Sequence, residues 1–466
     1  MANKNSLKLT CIGGGTGLSR LLIGIKQYSQ AQPEGIEIID MNKFTAVVAM
    51  SDDGGSSGKL IDEFGGLPPG DIRNCLTALA DDKSMSRLFA YRFENDSAGS
   101  GHSMGNLLLY VLDRQNKNDN DNISLSKIIS DSEKILNDNG KIPSRTQNLL
   151  LHLLNQLNKN SNGNSNGSFL KAISDASKIL GVTGRVLPVT LDETVLCAEL
   201  TNGDVVRGES LIPKRKNRQP IQRVYLSKRT NGSTAETYQP EFVCEALPEA
   251  IMAIDNADAI IIGPGSLYTS VIPNLLAKDV TVAINRSRAK KIYVCNIAIE
   301  SGETDNYTVS DHVRAILNHA DFKLDYVLAN SGLVSFDNTN QVIFDPQEDF
   351  LGEITLREED MICVETVGNK TFLRHEPFKL AAAIMRILSD DANSRSWGNA
   401  SVLAAPSIEA HSNCCNCRFW ERKDQALGVC WPLSNFYPPT PVFKYQNDGC
   451  NRWEKKSKLI GKRFQR

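Results

Sequence analysis

The sequence has few of the features that direct a chain to a membrane, to nucleic acid or out of the cell. No apolar run in its 466 residues reaches the length of a transmembrane helix. The formal net charge is only -2, so no basic excess favours DNA, RNA or an anionic membrane surface. No signal-peptide pattern precedes the first strand-like segment. We therefore expect a cytoplasmic protein with no membrane span and no nucleic-acid partner.

Three common active-site motifs are also missing. Lys59 is followed by Leu60, and the upstream glycine spacing of a P-loop fails. In the first glycine-rich turn, the third glycine of the dinucleotide fingerprint falls on Leu18 or on Arg20. Ser266 does not lie in the Gly-x-Ser-x-Gly turn of a serine hydrolase. The sequence therefore does not support a P-loop enzyme, strict NAD binding or a serine hydrolase.

Glycine-rich loops are present instead, and each follows a strand-like run of apolar residues. They span 13–19, 51–58 and 263–268. A backbone without Cβ atoms can approach a ligand closely and aim its N–H groups at it. Such loops hold nucleotides and phosphates at strand ends in α/β proteins. The candidate nucleotide-binding residues of these loops are Gly13, Gly14, Gly15, Thr16, Gly17, Leu18, Ser19, Gly54, Gly55, Gly263, Gly265, Ser266 and Tyr268.

The first and third loops share the order strand, glycine turn, hydroxyl and helix. Thr16 and Ser19 would add hydroxyl donors around a diphosphate at the helix start. Each loop is also compatible with a plain tight turn. Two loops of this form in one domain favour a ligand that bridges two strand ends.

The second loop places Asp52 and Asp53 among glycine and serine neighbours. One carboxylate could hold ribose hydroxyls, as an acidic residue after the second strand does in nucleotide folds. Both could instead hold Mg²⁺ beside a diphosphate. They could also be ordinary turn aspartates. The sequence leaves these three roles open.

Two polar helix entrances add further candidates for the same cleft. Asp71, Arg73 and Asn74 follow a Pro-Pro-Gly turn, where Asp71 could cap the helix and Arg73 could bind phosphate or form an ion pair. His102 and Asn106 lie in a glycine-flanked entrance. His102 could be an acid or base, a phosphate donor or a structural residue, because no partnered nucleophile is evident.

The order of elements predicts an α/β protein with a Rossmann-like parallel sheet and helices on both faces. Within it, Asp71 to Leu88 is predicted as one helix. Strand-like segments at 185–190, 195–200 and 204–209 predict a small antiparallel β insertion, with an Asn-Gly hairpin turn between the last two.

Composition divides the chain further. We expect a nucleotide-binding domain over 1–390, with a polar, Asn-rich insertion at 114–167. A linker would follow at 391–410 and a small Cys-rich module at 411–466. The earlier cysteines are scattered in apolar runs and are predicted to be buried thiols of a reducing compartment.

The ordered motifs resemble those of the CofD/YvcK family of Rossmann-like proteins over 7–112 and 170–390. The segments 181–190 and 295–311, which include Gly302-Glu303-Thr304-Asp305, are most similar to the YvcK branch, the gluconeogenesis factors. The insertion at 114–167 is longer than the family's usual connection. The chain also continues past the point at which the YvcK pattern ends.

The resemblance to the YvcK branch implies a protein that binds a UDP-sugar, UDP-N-acetylglucosamine or UDP-glucose. It implies a role in carbon metabolism, cell-wall homeostasis and cell shape. Our first hypothesis is accordingly a regulatory protein that senses the UDP-sugar and signals through a protein partner. A homo-oligomer is also plausible. The CofD branch implies the alternative, an Mg²⁺-dependent 2-phospho-L-lactate transferase that uses a nucleotide diphosphate donor and a deazaflavin acceptor. In either case residues 13–19 and 263–268 would hold the nucleotide. The same cleft would be lined by Asp52, Asp53, Asp71, Arg73 and Asn74.

The C-terminal cysteines have no counterpart in that pattern. Cys414, Cys417, Cys430 and Cys450 could supply four thiolates to Zn²⁺ or to an Fe–S cluster, with Cys415 as an alternative first ligand and His411 as a substitute ligand. A metal would give so short a module folding energy. Their spacing matches no common zinc finger, and reduced cysteines packed among aromatic residues are the alternative. A metal or redox sensor is therefore a third hypothesis for function.

Overall fold

The computed structural model describes residues 6–33, 37–93, 101–116, 169–229, 242–332, 341–344, 351–367, 370–394, 420–422, 427–430 and 442–445. The strands are β1 Leu9–Gly13, β2 Thr45–Val48, β3 Arg185–Pro188, β4 Thr194–Leu200, β5 Val205–Arg207, β6 Ile221–Lys228, β7 Ala259–Ile262, β8 Lys290–Val294, β9 Tyr326–Asn330, β10 Thr355–Glu359, β11 Ile362–Val367, β12 Lys370–His375, β13 Trp420–Arg422, β14 Leu427–Cys430 and β15 Val442–Tyr445. The α-helices are α1 Gly15–Gln30, α2 Gly55–Phe64, α3 Gly70–Leu79, α4 Lys83–Ala90, α5 Met104–Asn116, α6 Phe169–Leu180, α7 Pro248–Asp255, α8 Ile272–Leu275, α9 Val280–Arg286, α10 Val309–His319 and α11 Pro377–Ser394.

A parallel seven-stranded sheet forms the centre of the fold, with strand order β10-β9-β8-β7-β1-β2-β3. Strands β1, β2 and β7 are buried along their whole length, as expected for parallel strands covered on both faces. Helix α1 packs on α3 and α11. The predicted Rossmann-like α/β class is confirmed.

The strand order reverses between β1 and β7. From β1 the chain proceeds to β2 and β3 on one side, and from β7 to β8, β9 and β10 on the other. The carboxyl ends of β1 and β7 therefore lie side by side at the point where open α/β sheets form their ligand crevice. The first and third glycine loops leave the sheet at these two ends.

A separate three-stranded antiparallel sheet, β5-β4-β6, forms the insertion. Its β4–β5 turn contains Gly203 with a φ of 87°, in agreement with the predicted Asn-Gly hairpin. The prediction for 185–190 was wrong. Residues 185–188 form β3, which pairs in parallel with β2 at the edge of the main sheet.

The segment predicted as one helix from Asp71 to Leu88 contains two helices. Helix α3 ends at Leu79, and α4 begins at Lys83 after a short extended link. The Asp82 carboxylate caps α4 by accepting hydrogen bonds from the N–H groups of Ser84 and Met85. This local cap competes with continuation of the helix.

Three short strands lie in the segment predicted as a Cys-rich module. Strand β15 pairs antiparallel with β11, so that β13, β14 and β15 extend the β11–β12 hairpin into a five-stranded sheet. Cys430 is the last residue of β14, whereas Cys414, Cys417 and Cys450 lie outside the described residues. The tail metal, the linker at 391–410 and most of the insertion at 114–167 also lie beyond what the structure describes, and the domain boundaries stay predictions.

Two other expectations from composition can be compared with the structure. Within the described part of the chain, no helix has the length and apolar character needed to cross a membrane. The cysteines predicted to be buried are buried, and each is a free thiol; they are Cys11, Cys75, Cys197, Cys244, Cys295 and Cys363.

Candidate functional site

A cleft of about 790 Å³ opens where β1 and β7 end. The first glycine loop, the third glycine loop, the segment after β8 and the end of β12 line it. Of the predicted residues it contains Gly14, Gly15, Thr16, Gly17, Gly265 and Ser266. Its other lining residues are Arg20, Pro264, Ser270, Asn296, Ile297, Ala298, Ile299, Glu300, Ser301, Phe372, Leu373, Arg374 and His375.

The two loops approach each other so closely that only glycine fits between them. A Cβ on Gly17 would lie 2.5 Å from the carbonyl oxygen of Pro264. The carbonyl oxygen of Gly13 accepts a hydrogen bond of 3.1 Å from Nδ2 of Asn274, which follows the third loop. The loops therefore form one continuous wall, rather than two separate turns.

The first loop opens α1, whose initial N–H groups have no intrahelical acceptors. Gly15 donates its N–H to the Asp71 carboxylate at 2.7 Å. Thr16 and Gly17 follow in the same turn, and both residues line the cleft. A helix N-terminus of this kind favours an anion.

Asp71 lies behind the loop together with Asp52 and Arg73. Burial and then the Asp52 charge raise the pKa of Asp71 to about 7, while the Gly15 hydrogen bond and the Arg73 charge oppose this shift. Burial also raises the pKa of Asp52. Arg73 donates to Oδ1 of Asn74 at 2.7 Å. These predicted residues thus support the loop from behind and do not line the cleft.

Asp53 has a different position. Its two carboxylate oxygens accept hydrogen bonds from the N–H groups of Glu209 at 2.9 Å and Ser210 at 2.8 Å. It therefore joins the second loop to the 3₁₀ turn Glu209–Leu211 of the insertion. Gly54 and Gly55 form the start of α2 beside it.

The Mg²⁺ role considered for Asp52 and Asp53 stays a prediction. Asp52 accepts from the N–H of Gly54 at 3.0 Å, and Asp53 and Asp71 also bind backbone N–H groups. Among the described residues, no group of three or more His, Cys, Asp or Glu side chains is placed to hold a metal ion.

His102 and Asn106 form a second polar cluster, with Ser56 at its centre. The Ser56 hydroxyl lies 3.0 Å from Nδ1 of His102 and accepts from Nδ2 of Asn106 at 3.0 Å. Neither His102 nor Asn106 lines the cleft. These hydrogen bonds connect the start of α2 to α5.

The remaining predicted loop residues support the wall. Leu18 is fully buried in the core. The Ser19 hydroxyl donates to the Gly15 carbonyl at 3.0 Å. Gly263 has a φ of 79°, and a Cβ there would lie 2.9 Å from the carbonyl oxygen of Val294. The Tyr268 hydroxyl bonds to that of Tyr307 at 2.8 Å, away from the cleft.

The basic wall of the cleft was not predicted from the sequence. Arg374 of β12 donates to the Thr16 hydroxyl at 3.3 Å and stacks on Phe372, 5.3 Å from its ring centre. Arg20 of α1 forms an ion pair with Glu365 and donates to the carbonyl oxygen of His375 at 3.2 Å. Burial and the Arg20 charge lower the pKa of Arg374.

The arrangement combines features that suit a phosphorylated nucleotide. Backbone N–H groups and two guanidinium groups can bind phosphate oxygens. Phe372 is 37% exposed at the cleft and offers an aromatic face. A volume of about 790 Å³ is within the usual range for small-molecule sites.

Comparison with known proteins gives a consistent result. The model of the CofD family, described as 2-phospho-L-lactate transferase CofD, matches residues 9–166 and 144–362. The gluconeogenesis factor of Bacillus subtilis is 34% identical over 394 residues, which cover 82% of this chain and 98% of that protein. The gluconeogenesis factor of Listeria innocua is 32% identical over 403 residues, covering 85% of this chain and 100% of the relative.

A solved structure has the same fold. The crystal structure of a UPF0052 family member from Bacillus halodurans superposes with a TM-score of 0.58 at 32% identity. The match covers 82% of this chain and 99% of that chain. The similarity therefore extends over nearly the full length of the relatives.

Proposed function

Because the chain belongs to the CofD family, as a relative of the gluconeogenesis factors, we propose that it binds a UDP-sugar in the cleft between the two glycine loops. The ligand is UDP-N-acetylglucosamine or UDP-glucose. Binding regulates carbon metabolism, cell-wall homeostasis and cell shape through a protein partner in the cytoplasm.

The observation that carries this proposal is the position of the cleft at the reversal of strand order. The diphosphate lies against the N–H groups of Thr16 and Gly17, with Arg20 and Arg374 as counter-charges. Phe372 stacks on the uracil ring. The relatives' name supports the regulatory role.

Calorimetric titration tests this assignment. We expect saturable binding of UDP-N-acetylglucosamine or UDP-glucose without Mg²⁺, and no turnover. Arg374→Ala should raise the Kd by about 10- to 100-fold, because a charge-assisted phosphate contact is lost. Arg357→Ala is the matched control, since Arg357 lies on β10 at the edge of the sheet, where it pairs with Asp390 of α11, and does not line the cleft.

The same titration separates the sensor from the transferase. If neither UDP-sugar binds with or without Mg²⁺, the sensor proposal fails. Transfer of phospholactate from a nucleotide diphosphate donor to a deazaflavin would then identify the alternative named in the matching family description. Equal affinities for the Arg374→Ala and Arg357→Ala proteins would place the ligand elsewhere.

A further inference from the structure

The segment that follows β8 brings one carboxylate into the cleft that also contains two arginines. Glu300 is the one acidic residue among the described residues that line the cleft. Arg20 and Arg374 line it as well. A carboxylate in a site that is proposed to hold a diphosphate needs an explanation, because like charges repel.

The main chain fixes the position of Glu300. Its N–H donates to Oγ1 of Thr304 at 2.9 Å, and its carbonyl oxygen accepts from the N–H groups of Glu303 and Thr304, each at 2.9 Å. Nearer to β8, Oδ1 of Asn296 accepts from the N–H of Gly265 at 3.4 Å, which joins the segment to the third loop. The backbone that carries Glu300 is therefore held on both sides of this residue.

The Glu300 side chain is half-buried, and its charge acts on the basic wall of the cleft. Burial, and then the Arg20 charge, lower the pKa of Arg374. The charges of Glu365 and Glu300 oppose this shift. Arg20 pairs with Glu365, Arg374 donates to the Thr16 hydroxyl, and in the described part of the chain neither guanidinium forms an ion pair with Glu300. Its carboxylate oxygens are therefore available to a ligand beside the arginines.

The chemistry of a carboxylate indicates what Glu300 binds. An ionised carboxylate only accepts hydrogen bonds, so it binds donors and disfavours phosphate oxygens. In a nucleotide sugar, neighbouring sugar hydroxyls offer two donors to the two carboxylate oxygens, whereas the uracil ring offers a single N–H. We propose that the Glu300 carboxylate accepts hydrogen bonds from sugar hydroxyl groups of the bound ligand. This inference rests on the proposed function, and it makes Glu300 a residue that selects for ligands with sugar hydroxyls beside the diphosphate.

Two substitutions at Glu300 test the role. Glu300→Gln keeps the size of the side chain and removes its charge, whereas Glu300→Asp keeps the charge and shortens the side chain. By calorimetry without Mg²⁺, we expect each substitution to raise the Kd for UDP-glucose about tenfold. Glu353→Gln is the matched control, because Glu353 pairs with Lys323 outside the cleft and its side chain is 89% exposed.

Titration with UDP and with 2′-deoxy-UDP identifies which sugar donates. If the hexose donates, Glu300→Gln weakens the binding of UDP-glucose but does not weaken that of UDP. If the ribose donates, UDP also binds more weakly, whereas 2′-deoxy-UDP, which lacks one ribose hydroxyl, loses less affinity. An equal loss for all three ligands would show that the substitution acts through the protein fold, and it overturns the inference.

The same measurements separate this inference from the proposed function. If the unmodified protein binds neither UDP-glucose nor UDP-N-acetylglucosamine, the proposed function itself fails. If the unmodified protein binds UDP-glucose, and the folded Glu300→Gln and Glu300→Asp proteins bind it equally well, the role of Glu300 is overturned and the proposed function stands.

Discussion

At the scale of single residues, Gly17 sets the distance between the two glycine loops. Gly17→Ala would put a Cβ 2.5 Å from the Pro264 carbonyl oxygen. Because both groups belong to the backbone, the loops must separate. We expect a loss of about 1–3 kcal/mol in unfolding free energy and weaker UDP-sugar binding, measured by urea denaturation and calorimetry.

Gly13→Ala is the matched control for this substitution. A Cβ at Gly13 would have its nearest neighbour at 3.6 Å, an ordinary contact. Its effect on affinity should therefore be much smaller. Similar losses for the two variants would show that the loops do not need their close approach.

Individual residues of the site differ in how far the sequence could predict them. Glycines and hydroxyls at strand ends indicated the loops, because that pattern is local in the sequence. Arg374 and His375 were missed, because β12 reaches the cleft only after the whole sheet has formed. Arg20 of α1 was missed because its partners, Glu365 and the His375 carbonyl, lie on that same distant hairpin. Asp53 was assigned to the cleft from its type and position, but its contacts are with the turn of the insertion.

At the scale of elements, the β11–β12 hairpin forms a wall of the cleft, and Arg20 fastens it to α1. Arg20 pairs with Glu365 of β11 and with the last carbonyl of β12. We expect Arg20→Ala to raise the Kd for UDP-glucose about tenfold or more, because it removes both a phosphate donor and the attachment of the wall.

Arg386→Ala is a suitable comparison, measured by the same calorimetry. Arg386 forms a two-bond ion pair with Glu359, at 2.9 Å for each bond, on β10. Arg386 is therefore paired in a similar way to Arg20, but it does not line the cleft. If both variants bind the ligand equally well, the hairpin does not depend on Arg20.

Element boundaries also show where local patterns are insufficient. Apolar periodicity continues through 71–88, so the break before α4 depends on the capping carboxylate of Asp82. The segment at 185–188 has the composition of a strand, but composition does not specify its partner. Its parallel pairing with β2 follows from α6, which returns the chain to the sheet edge.

At the scale of the whole molecule, several carboxyl groups are held away from solvent near one another. Burial, followed by repulsion from neighbouring carboxylates, raises the pKa of Glu303 to about 8 and that of Glu209 to about 9. Folded protein therefore keeps protons that unfolded protein releases above pH 4 to 5. Stability contributed by these groups is present at low pH and is lost as the pH rises through the folded pKa values.

We accordingly expect the unfolding free energy to fall between pH 5 and pH 8 by an amount on the order of a few kcal/mol. Glu303→Gln should flatten that dependence, since the amide cannot ionise. The control Glu353→Gln alters a carboxylate that is 89% exposed and should leave the slope unchanged. Urea denaturation at several pH values measures this, and equal slopes for all three proteins would contradict the expectation.

The segment between α5 and α6 is attached to the fold on the β3 side of the sheet, away from the two loops that form the cleft. Helices α5 and α6 pack on each other, and α6 also contacts β3, so both ends of residues 117–168 are anchored on the β3 side. Both loops of the cleft arise from β1 and β7. The connection between α5 and α6 is consequently a suitable attachment point for a reporter domain. Ligand binding could then be followed without modifying either wall of the cleft.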